Sequence, residues 1–251
     1  MNNHQIPKKI AVISGGFGYV GLEVAKALSE EGYMLSLLYN TTSQSDIDNG
    51  LKSFPGTGHV AYACDLTNEK SVNEVIDNIE KEQGAIYIAV HAAGKKPERK
   101  KLYQTTSDEL RSQVDTNIIG SFNFLTACSK KLKEHKEGMI VGITTIGVMI
   151  PEATKSLGAY IPAKYALQGM LTMLRDELVQ YNVSVYSIAP GFMPDGMNKD
   201  IPQAFIQMIE SKTPNKQLAS ASLIASTIVR LSKKILNEEP LTVAIAPEYR
   251  M

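Results

Sequence analysis

Only two cysteines, Cys64 and Cys128, occur in the sequence, which excludes a disulfide framework and fits a reducing compartment. Net charge is absent too: 26 basic side chains balance 26 acidic ones. Without a basic excess there is no electrostatic footprint for nucleic acid or for an anionic membrane surface. No run approaches the roughly 18 consecutive apolar residues a membrane helix requires. The opening "MNNHQIPKKI" holds no apolar stretch of signal-peptide length. Linkers, repeats and low-complexity tracts are missing. His4, His59, His91 and His135 are scattered without metal-ligand spacing, so no metal is expected. The expectation is a cytoplasmic protein with no nucleic-acid or membrane partner, in which the sequons at Asn40 and Asn182 are incidental.

What is present is a composition 43% hydrophobic and 21% charged over 251 residues, suited to one domain over 1–251. Short β-branched runs at 8–14, 33–40, 59–66, 85–92, 139–145, 183–190 and 241–247 read as about seven strands. Helical patterns alternate with them at 20–32, 43–53, 68–83, 106–134, 157–181 and 220–236, the first closed by Gly32. Strands apolar at nearly every position are buried on both faces, which means a parallel sheet covered by helices. Strand–helix alternation throughout predicts an α/β, Rossmann-like doubly wound sheet.

Between the first strand and first helix stands "ISGGFGYVGLEVA", with Ser14, Gly15, Gly16, Gly18, Tyr19, Val20 and Gly21. Glycines there permit a tight turn and close approach to a pyrophosphate, which sits on the free N–H groups of the helix start. A glycine turn also serves plain strand–helix connections, but its place in a doubly wound sheet is the one a dinucleotide requires. Strand two ends in Asn40, Thr41, Thr42 and Ser43 with no carboxylate, and Asp46 reads as a helix cap. An acidic residue there would hold the ribose 2′-hydroxyl of NAD. Amides and hydroxyls accept a 2′-phosphate instead, so NADP(H) is favoured and NAD(H) remains possible. Asp65 and Leu66 follow strand three, Ala92, Ala93 and Gly94 follow strand four, and Pro190 and Gly191 follow strand six. Ligands of open α/β sheets lie across those strand ends.

Together with "GAYIPAKYALQGM", these segments resemble the short-chain dehydrogenase/reductase family, compact single-domain branch, over about residues 8 to 237. The nearest general likeness is to 3-oxoacyl-carrier-protein reductases. The resemblance matches the glycine turn at Gly15 and Gly21, the adenine-site "CDLT" at Asp65, the "VDTNIIG" helix at Asn117, and "APG" at Pro190 and Gly191. "HAAG" stands for the family's Asn-Asn-Ala-Gly, with His91 and Ala92 replacing the asparagines. It implies that Tyr160 exchanges a proton with the substrate oxygen while nicotinamide exchanges a hydride with carbon. A free tyrosine titrates near about 10, and a cation one helical turn on, Lys164, would lower that value. Lys164 would also hold the nicotinamide ribose, Asn117 would fix a helix bend and a proton-relay water, and Thr145 would position the substrate oxygen.

Four departures accompany the resemblance. Thr145 replaces a serine, the 15 residues from it to Tyr160 exceed the family's spacing, and Thr144 stays open as the alternative hydroxyl. Tyr19 occupies the usual middle-glycine position, and the C-terminal "LTVAIAPEYRM" lacks the family's glycine-rich motif. Met193, Met197, Phe205 and Met208 lie in a segment, 191–215, that reads as a substrate lid or a short buried helix; Met149 and Ile150 are expected to line the same pocket. "KKPERKK" (95–101) reads as a solvated loop or a docking patch for an acidic carrier or phosphorylated substrate. The expected activity is NAD(P)-dependent interconversion of a carbonyl and a secondary alcohol with an apolar part, free or acyl-carrier-bound, by a homodimer or homotetramer. A dinucleotide-binding sensor or interaction protein without turnover is the alternative. A nucleotide-sugar epimerase is disfavoured because the chain has no length for a second domain.

Overall fold

A computed structural model of the chain describes residues 9–150, 155–213 and 216–246. Among these residues, seven strands form one parallel sheet: β1 (Ile10–Ser14), β2 (Met34–Tyr39), β3 (Val60–Ala63), β4 (Ile86–His91), β5 (Gly138–Ile143), β6 (Val183–Pro190) and β7 (Thr242–Ile245). Their order is β3-β2-β1-β4-β5-β6-β7, so the chain reverses direction across the sheet between β1 and β4. That switch point opens a crevice at the carboxyl ends of the strands. Every residue of β1 is buried, as expected for a strand covered on both faces.

The helices are α1 (Tyr19–Glu30), α2 (Gln44–Ser53), α3 (Glu69–Gln83), α4 (Ser107–Val114), α5 (Gly120–His135), α6 (Tyr160–Leu178), α7 (Gln203–Lys212) and α8 (Ala221–Ser232). Two buried clusters form the core. One packs Val24, Leu28, Ile224 and Ile228 of α1 and α8 against Ile13, Leu37 and Val141; the other packs Ile76, Phe124, Leu167 and Leu171 of α3, α5 and α6 against Val12, Ile140 and Val185. Side chains of this size stabilise by about 1.5–3 kcal/mol each when fully buried. Gly32, at φ +86°, closes α1 in the left-handed conformation that side-chain-bearing residues resist.

The helix expected over 106–134 divides. Asp115–Ile119 form a π-helical turn, with the Gly120 amide donating to the Asp115 carbonyl, between α4 and α5. Apolar spacing continues through this turn, so periodicity alone does not reveal it. Such one-turn widenings are often found at functional sites. Its consequence here is to turn the buried Asn117 side chain toward the strand-four loop.

Candidate active site

The glycine turn is shaped by steric exclusion. Gly15 leaves β1 at φ +66°, and a Cβ there would stand 2.8 Å from the Ala93 Cα. At Gly21 a Cβ would stand 2.1 Å from the Gly15 carbonyl oxygen. Only glycine at both positions lets β1, the "HAAG" loop and α1 approach so closely. The turn is drawn to β2 by the Gly16 amide, which donates to the Leu38 carbonyl at 3.2 Å. No side chain caps the start of α1 at Gly18, and no acidic side chain occupies its first turn. Its opening amides therefore suit an anionic ligand.

Tyr19 does not fill this turn. Its hydroxyl donates to Asp195 Oδ2 at 3.2 Å, and its ring covers Gly196, where a Cβ would lie 2.9 Å from the ring. At 39% exposure it spans from the start of α1 to the segment after β6. Burial and the Asp195 carboxylate both raise its pKa. At the far end Asn40, Thr41 and Thr42 line the crevice. Asp46 is not the cap expected: Ser43 is, its Oγ accepting from the Asp46 amide at 3.2 Å and donating to the Asp46 carboxylate at 2.6 Å in the first turn of α2. Asp65 Oδ1 accepts from the Thr67 amide at 2.9 Å and hydroxyl at 2.8 Å, a turn-fixing role.

Opposite the glycine turn, the chain gathers its polar chemistry. Lys164 is buried and its ammonium donates to the Ile143 carbonyl at the end of β5, at 2.8 Å. It stands 5.6 Å from the Tyr160 ring centroid, both side chains lying on the first turns of α6. Gly158, whose amide donates to the Lys100 carbonyl at 2.9 Å, anchors the approach to that helix. A Cβ at Gly94 would meet Asn117 Oδ1 at 3.2 Å and Lys164 Nζ at 3.7 Å, so this glycine marks where the two groups converge. Asn117 Oδ1 accepts from the Lys95 amide at 2.8 Å, and its Nδ2 donates to Gln113 Oε1. Burial pushes the Lys164 pKa down to about 8 and drives that of Tyr160 up. The lowering of the tyrosine value expected from Lys164 is thus not seen in this geometry, where desolvation raises it.

Hydrogen bonding separates the two threonines. Thr144 Oγ1 is buried, donating to the Ile188 carbonyl at 3.0 Å and lying 2.8 Å from Ser187 Oγ. Thr145 is half-buried and caps the short turn Ile146–Val148 through a long, 3.4 Å contact from the Gly147 amide. Thr145 therefore presents the freer hydroxyl.

Gly15, Gly18, Tyr19, Val20, Gly21, Asn40, Thr41, Asp65, Leu66, Ala92, Ala93, Gly94, Thr145, Tyr160, Lys164, Pro190 and Gly191 line one cleft of about 1110 Å³. Ser14 and Asn117 lie beneath it, joined through His91. Ser121 Oγ donates to the Asn117 carbonyl at 2.8 Å, so His91 Nε2–H must donate to Ser121 Oγ at 2.8 Å. Nδ1 then accepts from Ser14 Oγ at 2.7 Å. Burial, reinforced by the Lys164 charge, pushes the His91 pKa down to about 3 and keeps it neutral. His91 is thus a buried tie rather than a side chain presented to the cleft. Met149 and Ile150 are a second correction: the chain turns outward after Ile146, and neither lines the cleft. Met193, Met197, Phe205 and Met208 do line it, while Ile206 supplies the buried face of α7. Sequence reasoning missed Lys155, Lys199 and Lys212 at the mouth, which belong to no motif.

Residues 19–235 match the family model described as Enoyl-(Acyl carrier protein) reductase. The chain belongs to the short-chain dehydrogenase/reductase family. A 3-oxoacyl-[acyl-carrier-protein] reductase of Bos taurus is 26% identical over 89% of this chain and 90% of its own length. The 2,3-dihydro-2,3-dihydroxybenzoate dehydrogenase of Bacillus subtilis (strain 168) is 27% identical over 92% and 91%. Among solved structures, an NAD+-bound xylitol dehydrogenase superposes at TM-score 0.84 with 23% identity, covering 95% of this chain and 98% of that one. ElxO with NADP bound superposes at TM-score 0.85 with 22% identity, covering 96% and 97%. As a family member the protein is an oxidoreductase with a nicotinamide-dinucleotide fold. No helix among the described residues is long and apolar enough to cross a membrane.

Proposed function

We propose that the protein is an NADP-dependent oxidoreductase interconverting a ketone, free or of 3-oxoacyl type, and a secondary alcohol. The observation that carries the reading is one cleft joining a Cβ-excluding glycine turn and a carboxylate-free β2 end to Tyr160, Lys164 and Thr145. Bound there, the nicotinamide would supply or take up the hydride. Tyr160 exchanges the proton with the substrate oxygen, to which Thr145 donates a hydrogen bond. Below its pKa of about 8 Lys164 is cationic; it would bind the ribose hydroxyls and, with cofactor and substrate in place, would offset the desolvation that raises Tyr160. Asn117, held in the π-helical turn, orients the water that returns protons toward Lys164. Residues 191–213 of the single domain act as a lid. Exposed Ile119, Phe122, Tyr165 and Met173 support a homodimer or homotetramer formed through α5 and α6.

The test is ketone-dependent NADPH oxidation by the wild type and by Tyr160→Phe. The variant is expected to lose turnover about a thousandfold, within the usual range for a positioned acid, while still binding NADPH. Tight NADPH binding without wild-type turnover of any ketone would favour the second reading, a dinucleotide sensor. Support for that reading comes from the Tyr19–Asp195 hydrogen bond, which ties the glycine turn to the lid.

A further inference from the structure

The charged side chains lining the cleft are unbalanced toward cations, although the chain as a whole is neutral. Besides Lys164, its lining includes the cations Lys96, Arg99, Lys155, Lys199 and Lys212, against the carboxylates Asp65 and Asp195. Asp65 belongs to the β3 end and is committed to Thr67. Asp195 receives the Tyr19 hydroxyl. The five cations besides Lys164 thus outnumber the two carboxylates of the lining.

Their partners separate them further. Within 95–101, Lys95 turns to Ser112, Lys100 to Glu109, and Lys101 lies over the Tyr103 ring, so these three are directed away from the cleft. Lys96 and Arg99 reach instead across the mouth to Asp200 and Asn198 of the lid. The side chains of Lys155, Lys199 and Lys212 make no hydrogen bond or close ion pair among the described residues, although the Lys199 charge acts on the neighbouring Asp200 carboxylate. They come from two segments: Lys155 from the approach to α6, Lys199 and Lys212 from the lid, the latter at the end of its helix α7. Beneath this rim the wall is apolar, with Ile146, Phe192, Met193, Phe205, Met208 and Ile209.

We infer that the substrate is a small carbonyl compound with an apolar body ending in an anionic group, carboxylate or phosphate, received at the mouth by Lys155, Lys199 and Lys212. This rests on the carbonyl-reductase reading of the same cleft. The apolar wall takes the body, the carbonyl lies at Tyr160 and Thr145, and the anion stays at the solvent edge. Exposed cations act there by attraction across partly screened space. Lys96 and Arg99, being partnered, tie the lid in place around the anion.

The experiment compares a medium-chain oxo acid with its methyl ester, as kcat/KM for NADPH oxidation and as calorimetric binding to the NADP-loaded protein. At low salt the acid is expected to be favoured at least tenfold, equivalent to about 1.4 kcal/mol. The preference should shrink at high ionic strength and collapse toward unity in Lys155→Ala/Lys199→Ala/Lys212→Ala, whose exposed positions keep folding out of the comparison. Equal treatment of acid and ester, unchanged by salt or by the triple variant, overturns the inference and leaves the reductase reading intact. A preference for a carrier-linked oxoacyl chain over both free compounds, with free acid and ester equal, overturns it too. Absence of turnover on both compounds would fail the reductase reading, while the binding arm would still decide for or against the anion. A phosphate-terminated analogue distinguishes the two anions.

Discussion

The two ends of the cleft are built by different means. At the proposed cofactor end the backbone itself is the instrument: Gly15 and Gly21 sit where no side chain fits, and β1, which leads into them, is fully buried. At the substrate end the shape comes from side chains on a lid, held by a few polar bridges such as Tyr19–Asp195, Lys96–Asp200 and Arg99–Asn198. Exposed bridges of this kind contribute about 0–1 kcal/mol each. The first end tolerates almost no change in sequence. The second can be re-specified by substitutions at its surface.

Breaking the wall proposed to be catalytic should have the largest effect. Lys164→Met is expected to lower kcat by about a hundredfold or more, measured at saturating ketone and NADPH. It should also alter the pH dependence of stability. The folded-state pKa lies near 8, below the ordinary 10.5, so at pH values between them the unfolded chain binds more protons. Wild-type stability should therefore gain relative to Lys164→Met as pH rises from about 8 to about 10.5. A flat difference in Tm across that window would contradict the burial of a titrating amine.

The threonines sharpen the same contrast. Thr145→Val is expected to reduce kcat by about a hundredfold, as for removal of one oxyanion-type donor, with little change in Tm. Thr144→Val should do the reverse, costing about 1–3 kcal/mol because its buried hydroxyl serves β6. At the cofactor end, Gly21→Ala should destabilise by about 1–3 kcal/mol through overpacking against the Gly15 carbonyl, read from denaturant midpoints, and weaken NADPH binding. The smallest change is expected from Asn40→Asp, which should shift the NADPH-to-NADH affinity ratio about tenfold toward NADH.

Legibility from sequence follows the same division. Gly15, Gly21 and the alternating strands were readable because steric exclusion and two-faced burial each leave one residue type or one pattern. Tyr160 and Lys164 were readable as a motif in context. Spacing alone did not choose between Thr144 and Thr145; that depends on which hydroxyl the neighbouring strand engages. The π-helical turn stayed hidden because its residues continue the apolar rhythm of the helices on either side. Met149 was misplaced into the cleft because the turn after Thr145 reverses the direction in which the next side chains point. The basic lining was invisible because only the fold brings Lys155 to the same cleft as Lys199 and Lys212.

The most direct test of the central claim is a fluorescence titration of the wild-type protein with NADPH and with NADH. Saturable binding of NADPH, at least tenfold tighter than NADH, is the predicted result, from the free amides of α1 and the carboxylate-free end of β2. Equal or tighter binding of NADH would contradict the cofactor reading. Binding of neither would mean that Tyr19, tied to Asp195, closes the turn, and the account of the cleft as a reductase site would fail with it.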